Sequence, residues 1–208
     1  MTSLRRLSSS LASALALSAL AVGVVARGEV IFNTIDPTPP PAVTNDGYVT
    51  MSGANSYWQS QAFTTGGSAT AINKITFDMQ TFGAAFEIGL YASSGSQPNL
   101  GSLIGNIYSQ SSGAFPGPLV ATFSALNLDA ATEYFVVAKR TGGSDLLWGY
   151  TNDMTGLNAY TSNGGTSWTT SSSAPMRMKV EAVPEPPAIV LSGIGLASAM
   201  YAFRRRRS

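Results

Sequence analysis

Two residue types with strong chemistry, histidine and cysteine, do not occur in this chain of 208 residues. Without them there is no Ser-His-Asp triad, no thiolate nucleophile, no imidazole or thiolate zinc site and no histidine general base. Carboxylates are the remaining catalytic candidates, since glycoside hydrolysis needs two of them about 5–10 Å apart. Glu87, Glu133 and Glu181 lie in or beside strand-like segments, where a solvated side chain is the simpler interpretation. A glycan hydrolase is therefore an alternative, and a non-enzymatic protein is favoured.

Two aspartates could hold calcium rather than catalyse a reaction. Asp145 and Asp153 flank an aromatic segment, and calcium prefers carboxylate and carbonyl oxygens as ligands. The fixed spacing of a calcium-binding loop does not occur in the sequence, so no metal and no other cofactor is required. A calcium ion held by these two side chains stays open as an alternative.

Tryptophan side chains could bind sugars, because the face of an aromatic ring fits the C–H face of a pyranose. Trp58, Trp148 and Trp168 could make such contacts. Trp148 and Trp168 are the candidates singled out for glycan contact, and Trp168 follows the turn-like residues 163–165. Aromatic rings also supply much of the buried area of a small domain, so core packing is the competing interpretation. A carbohydrate-binding module with exposed aromatics is accordingly the main alternative function.

The first 28 residues have the organisation of a secretory signal peptide. Arg5 and Arg6 precede an apolar stretch over residues 11–25, and small residues suitable for cleavage follow. A permanent N-terminal anchor is the alternative interpretation. Either way, this segment predicts export and does not contribute to the fold.

Residues 29–183 are long enough for one domain with a core of its own. They contain five basic and ten acidic residues, which gives a net charge of −5. An acidic segment with scattered basic residues does not have the charge distribution that binds nucleic acid. Within it, residues 29–46 hold a first strand and a proline-rich linker, and residues 47–183 form the domain proper.

Short segments that alternate apolar and polar residues recur through this domain. Residues 75–79, 86–90 and 176–182 follow the pattern, which is typical of strands with one buried face. In the last of them the apolar residues should face the core and the charged residues the solvent. Residues 135–138 are apolar without alternation and predict a central strand, whereas 98–104 is the best candidate for a turn or loop. The fold class expected is an all-β antiparallel β-sandwich, jelly-roll-like or immunoglobulin-like.

Tyr134 enters the apolar strand directly after a leucine-containing turn. This placement suggests a tyrosine corner, in which the hydroxyl bonds to backbone a few residues upstream. An ordinary tyrosine at the start of a strand is the alternative.

The domain as a whole resembles a known family. It is similar to the choice-of-anchor domains, most closely type R, in residues 57–64, 72–77, 87–91, 126–134 and Trp148. These are secreted bacterial domains joined to interchangeable C-terminal anchors. The resemblance implies a sandwich fold and no known activity.

The C-terminal residues 184–208 combine a proline-rich tag, an apolar segment over 188–203 and a basic end. The prolines keep the tag extended, the apolar segment predicts a transmembrane helix, and the arginines hold its end in the cytoplasm. The basic stop consists of Arg204, Arg205, Arg206 and Arg207. The arrangement resembles the PEP-CTERM sorting signal of Gram-negative bacteria, with its motif at Val183, Pro184, Glu185 and Pro186.

That resemblance implies a partner and a destination. In the PEP-CTERM family a membrane transpeptidase, the exosortase, recognises and processes the tag. The precursor would be anchored in the inner membrane and then reach the cell surface or an extracellular matrix. We therefore expect an exported surface or exopolysaccharide-matrix protein whose partners are the exosortase, the membrane and exopolysaccharide.

Overall fold

The computed structural model describes residues 29–35, 47–52 and 56–183, and every regular element in these ranges is a β-strand. The all-β class is confirmed. Within the described ranges there is no helix of the length and apolarity that crossing a bilayer requires. The predicted signal peptide, most of the linker, the tag from Pro184 onward and the predicted membrane helix lie outside these residues.

Fourteen strands make up the described part of the chain. They are β1 (Val30–Asn33), β2 (Gly47–Met51), β3 (Trp58–Thr64), β4 (Thr70–Phe77), β5 (Met79–Phe82), β6 (Ala85–Ser93), β7 (Pro98–Gln110), β8 (Ala114–Phe115), β9 (Leu119–Leu128), β10 (Glu133–Gly142), β11 (Leu146–Tyr150), β12 (Thr155–Thr161), β13 (Thr169–Ser173) and β14 (Met178–Ala182).

These strands form three antiparallel sheets. One has the order β1-β14-β4-β9, the second β13-β12-β3-β10-β6-β7 and the third β2-β11-β5-β8. The first strand of the chain, β1, is hydrogen-bonded to β14 and belongs to the same sheet as the last. The inner faces of all three sheets contribute to one apolar core, which is consistent with a β-sandwich. The choice between a jelly-roll-like and an immunoglobulin-like topology stays a prediction.

The alternation expected of the last strand is confirmed for its apolar side. Met176, Met178 and Val180 are at most 2 % exposed and lie in the core. The charged residues between them are half-buried rather than fully solvated, because they form ion pairs along the sheet. Lys179 and Lys74, for example, both pair with Glu181, the latter at 2.9 Å.

The tyrosine corner is also confirmed. Tyr134 is 4 % exposed, and its hydroxyl oxygen accepts a hydrogen bond of 2.9 Å from the backbone N–H of Asp129. The bond spans the turn between β9 and β10. It fixes the start of β10, which lies between β3 and β6 in the six-stranded sheet.

One sequence expectation for the fold is wrong. Residues 98–104, expected as a turn or loop, belong to β7, a strand of 13 residues at the edge of the six-stranded sheet. The pairing of β7 with β6 is interrupted by several bulges. These bulges break the period-two pattern, which is why the segment does not look like a strand.

Candidate functional site

The six-stranded sheet is apolar on both faces where β10 crosses it. Tyr134, Val136 and Ala138 point into the main core, while Phe135 and Val137 point to the opposite side. All five are 4 % exposed or less. This explains the unbroken apolar run in the sequence and confirms β10 as a central strand. Because Phe135 and Val137 are buried on the outer face of the sheet, other side chains must pack over them there.

These side chains form a second, smaller hydrophobic cluster on the outer face. Its buried members are Ala62, Tyr91, Phe135, Val137 and Ala159, and the half-buried side chains packed on them are Trp58, Leu100, Leu157 and Trp168. Five strands of the sheet, β3, β6, β7, β10 and β12, and the loop after β12 contribute to it. We call this group the outer-face cluster.

A lysine lies between two aromatic rings at the edge of the outer-face cluster. The Lys139 ammonium nitrogen is 4.8 Å from the centroid of the Trp58 ring and 4.6 Å from that of Tyr91. It also donates a hydrogen bond to the Tyr91 hydroxyl. Both distances are inside the range, about 6 Å, in which a cation is attracted to the negative face of a ring. The lysine is thereby held in one orientation on the sheet surface.

Strand register places a carboxylate next to this lysine. Lys139 is paired with Trp58 on β3 and with Glu87 on β6, and Glu87 is in turn paired with Ser109 on β7. Residues directly opposite each other on one face have Cβ atoms about 4.5–5.5 Å apart. Glu87 is exposed. One row across the outer face therefore presents an aromatic ring, a hydrogen-bond donor, a carboxylate and a hydroxyl.

Two glycines allow the rings to lie in these positions. A Cβ on Gly89 would come 2.8 Å from the Tyr91 ring, so the ring folds back over Gly89 towards Lys139. Gly165 has φ of +86°, and a Cβ there would come 2.2 Å from Leu100 and 2.8 Å from the Trp58 ring. Substituting either glycine would displace an aromatic side chain of the site.

The loop that carries Gly165 is held by its own polar groups. The Asn163 side-chain oxygen accepts hydrogen bonds from the Ser167 N–H at 3.1 Å and from the Thr161 hydroxyl at 2.7 Å. The Asn163 amide nitrogen donates to the Ser167 hydroxyl at 2.8 Å. The turn signal at 163–165 is thus a connection between β12 and β13, and it packs one side of Trp58.

The two tryptophans expected to contact glycan differ in their exposure to solvent. Trp148 has no exposed surface; its ring packs edge-on against Phe77 with centroids 5.7 Å apart, and its indole N–H donates to the Arg177 carbonyl at 3.1 Å. A ring in the core cannot stack on a sugar, so Trp148 is a packing residue. Trp168 is half-buried on the outer-face cluster and stays a candidate.

The proposed calcium pair is not brought together. Asp145 precedes β11 and Asp153 follows it, and a strand of five residues spans about 15 Å. Calcium ligands lie about 2.3–2.6 Å from the ion, so these two carboxylates cannot share one. Among the residues that the structure describes, no group of three or more acidic side chains could hold a metal ion.

The three glutamates considered for hydrolysis are also dispersed. Glu87 is paired with Lys139, six residues along β10 from Glu133, which is roughly 20 Å at the rise of a strand. Glu133 accepts a hydrogen bond from Ser93 at 2.5 Å, and Glu181 lies in a different sheet. A hydrolytic pair separated by 5–10 Å is therefore not formed by these residues.

The electrostatic environment differs between the sheets. For Glu181, burial raises the pKa, but the hydrogen bond from Lys74 and the charges of Lys179 and Lys74 outweigh it and leave the pKa below its ordinary value. Burial, followed by the charge of Asp78, raises the pKa of the Tyr48 hydroxyl. These shifts belong to the ion pairs of the smaller sheets and not to the outer-face cluster.

Sequence reasoning missed Lys139 and its position between Trp58 and Tyr91, which is the most organised part of the candidate site. These residues lie on three strands that are far apart in the chain and adjacent only in the sheet. The one available signal was the alternation of apolar and polar residues around each of them. This alternation shows which face of its strand a residue occupies, but not which strand lies beside it.

No family model matches the chain, and neither does any curated protein. Among solved structures, it is similar to the cysteine protease and lectin-like domains of Cwp84, a surface layer associated protein of Clostridium difficile, with 13% identity and a TM-score of 0.49. That likeness covers 70% of this chain, which spans only 37% of the other. A chitosan-binding module 1 from a Paenibacillus sp. IK-5 chitosanase/glucanase matches with 19% identity and a TM-score of 0.26, over 49% of this chain and 90% of the module. Likenesses this remote decide nothing about function.

Proposed function

We propose that this chain is an exported, non-enzymatic surface or exopolysaccharide-matrix protein whose β domain contacts polysaccharide through its outer face. One observation carries the proposal of glycan contact: the Lys139 ammonium is fixed between the Trp58 and Tyr91 rings with the exposed Glu87 opposite. The dispersed carboxylates support the non-enzymatic part of the proposal.

The chemistry of this row suits a sugar. An ammonium group donates hydrogen bonds and a carboxylate accepts them, so two neighbouring hydroxyls of one ring can be bound by Lys139 and Glu87 together. The half-buried rings of Trp58 and Trp168 supply apolar surface beside them. Because the lysine is already oriented, little side-chain entropy is lost on binding.

Export and sorting form the second part of the proposal. The predicted signal peptide at residues 1–28 would deliver the chain across the inner membrane, and the predicted helix at 188–203 with Arg204–Arg207 would retain the precursor there. The exosortase then recognises the extended tag at Pro184–Pro186. Support for this part comes from the sequence pattern and its resemblance to PEP-CTERM signals.

Affinity electrophoresis tests the glycan contact. The protein is run through native gels that contain the exopolysaccharide of the producing host, beside gels without it. We expect retardation of the wild type, and about tenfold weaker apparent affinity for Lys139→Met and for Glu87→Gln, since each loses a charged hydrogen bond. Lys179→Met, in another sheet, is the matched control. Equal retardation of all four proteins would contradict the proposed site.

Cell fractionation tests the sorting. In a host with a matching exosortase, Glu185→Ala should leave the full-length precursor in the inner membrane. Ser208→Ala, in the same tail, serves as the control and should be processed normally. Normal mass and normal surface amount of the Glu185 variant would show that this tag does not direct sorting.

A further inference from the structure

The sheet β2-β11-β5-β8 carries two exposed aromatic rings on the side that faces away from the core. Met51 on β2 and Met79 on β5 are fully buried. Because successive side chains of a strand alternate between its two faces, Tyr48 and Phe82 point away from the core. They are 42 % and 71 % exposed, and Phe82 is the most exposed large apolar side chain that the structure describes. The side formed by Tyr48, Thr50, Gln80, Phe82 and Leu147 is called the Tyr48 face below.

The ring of Tyr48 is held along the surface of this sheet. Its hydroxyl oxygen accepts a hydrogen bond of 2.7 Å from the Gln80 side-chain nitrogen, and the hydroxyl donates one of 3.3 Å to the Asp78 carboxylate. Since β11 lies between β2 and β5, the side chain has to cross β11 to reach these partners. It crosses at Gly149, its partner on β11, which has no side chain to obstruct it. The ring therefore lies flat over β11 with one face towards solvent.

Polar groups border this ring. The Asp78 carboxylate lies over Gly149, where a Cβ would come 2.6 Å from Oδ2, and it pairs with Arg177 at 3.0 Å. The side chains of this ion pair keep 25 % (Arg177) and 17 % (Asp78) of their surface exposed. Gln80 is half-buried and Thr50 is exposed. A fixed ring face is thus surrounded by hydrogen-bond donors and acceptors that solvent reaches.

The second ring is presented by a turn that is itself held in place. The Thr81 hydroxyl oxygen accepts hydrogen bonds from the N–H groups of Gly83 and Ala84 at 3.2 and 2.7 Å. The same hydroxyl donates to the Asp145 carbonyl at 3.1 Å. Phe82 is therefore kept at the surface by ordered backbone, and a ligand that covers its ring removes apolar area from water.

The spacing of the two rings requires a ligand of several sugar units. Phe82 follows Thr81, which is paired with Leu146, whereas Tyr48 is paired with Gly149. The two aromatic residues are therefore four residues apart along the strands and two strands apart across the sheet, roughly 17 Å between their Cα atoms. Half-buried Leu147 lies between them and continues the apolar surface.

We propose that the Tyr48 face is a second glycan site, which binds an extended chain of uncharged pyranose rings. The C–H face of one sugar ring packs on Tyr48, so that its equatorial hydroxyls meet Gln80 and Asp78, and a ring further along the chain packs on Phe82. The Asp78–Arg177 pair compensates its own charge, and this favours a ligand without charge.

This site does not depend on the polysaccharide contact proposed at Lys139, because the two lie in different sheets. Together the two sites would allow one domain to hold two polysaccharide strands. That consequence for a matrix, unlike the Tyr48 site itself, rests on the proposed function.

NMR titration of the full chain tests this site. The chain is kept in a detergent without a sugar headgroup, and the probes are cellohexaose and mannohexaose, two extended neutral hexaoses. We expect at least one of them to shift the Gln80 side-chain amide and the Leu147 backbone N–H. Tyr48→Ala should weaken binding about tenfold and Phe82→Ala severalfold, because each loses the packing surface for one sugar ring. Phe82 is so exposed that its replacement should leave the fold intact, which keeps the test valid if Tyr48→Ala lowers the melting temperature.

Two variants and a second measurement make the result specific. Tyr160→Ala, at a tyrosine 38 % exposed on β12, is the matched control and should bind like the wild type. Lys139→Met should leave the Gln80 shift intact, which separates this site from the outer face. The inference is overturned if neither hexaose moves the Gln80 and Leu147 signals, or if Tyr48→Ala and Phe82→Ala both bind as tightly as the wild type. It is equally overturned if sedimentation shows a dimer that Phe82→Ala dissociates and the hexaoses leave intact, because this face would then be an interface between two copies of the chain.

Discussion

Replacing Lys139 by methionine probes how much the lysine between two rings contributes to the fold. Methionine keeps an unbranched stem of similar length, so it still covers Trp58 and Tyr91, but it has no charge and no donor. The substitution therefore removes two cation–π contacts and the hydrogen bond to the Tyr91 hydroxyl.

The expected loss in the free energy of unfolding can be estimated from these contacts. Each cation–π contact contributes about 0.5–1 kcal/mol at a partly exposed site, and the hydrogen bond about 0.5–1.5 kcal/mol net. Desolvation of the half-buried ammonium offsets part of this, so we expect a loss of about 1–2 kcal/mol. For a domain of this size that lowers the melting temperature by roughly 2–8 °C.

Urea unfolding followed by tryptophan fluorescence gives the free energy directly. Lys179→Met is the matched control: its ammonium is 3.5 Å from Glu181 in a partly exposed pair, which contributes about 0–1 kcal/mol. A double-mutant cycle with Trp58→Leu isolates the lysine–tryptophan term. The reasoning is refuted if Lys139→Met is no less stable than Lys179→Met, or if the cycle shows no coupling.

Three other predictions concern the fold. Tyr134→Phe removes the acceptor for the Asp129 N–H and should destabilise by about 1–3 kcal/mol in urea unfolding; an unchanged midpoint would contradict the tyrosine corner. Phe77→Ala should cost about 3–5 kcal/mol and Phe77→Leu less, because leucine fills more of the cavity and loses chiefly the edge-on contact with Trp148; equal costs would argue against that contact. Because the pKa of Glu181 is below its ordinary value of 4.5 in the folded state, its contribution to stability is complete above about pH 4.5 and is lost as pH falls through the folded pKa. A series of melting curves should show this acid-dependent loss diminished in Glu181→Gln, and an identical pH profile would refute it.

The features that could be predicted from the sequence are those that depend only on residues close together in the chain. The alternation around Met178 assigned the buried face of β14, and the apolar run containing Val136 identified a central strand. Tyr134 was placed correctly because its hydrogen bond to Asp129 spans only five residues. Local chemistry is sufficient in each case.

The candidate site could not be predicted because it depends on which strands become neighbours. Lys139 lies between Trp58 and Tyr91 only because β10 is inserted between β3 and β6, and no pattern around Lys139 encodes that order. The same limitation explains Trp148. Its aromatic side chain was compatible with glycan contact and with core packing, and the packing of Phe77 against it, from a strand of another sheet, is what buries it.

Mapping the contact surface by NMR tests the central claim most directly. Fragments of the host exopolysaccharide are titrated into the isotope-labelled full chain, and backbone and indole N–H signals are followed. We predict shifts concentrated on the outer face, at the Trp58 indole and at Glu87 and Lys139, and their loss in Lys139→Met. Saturating fragments that leave these three signals unmoved would contradict the assignment of polysaccharide contact to this face.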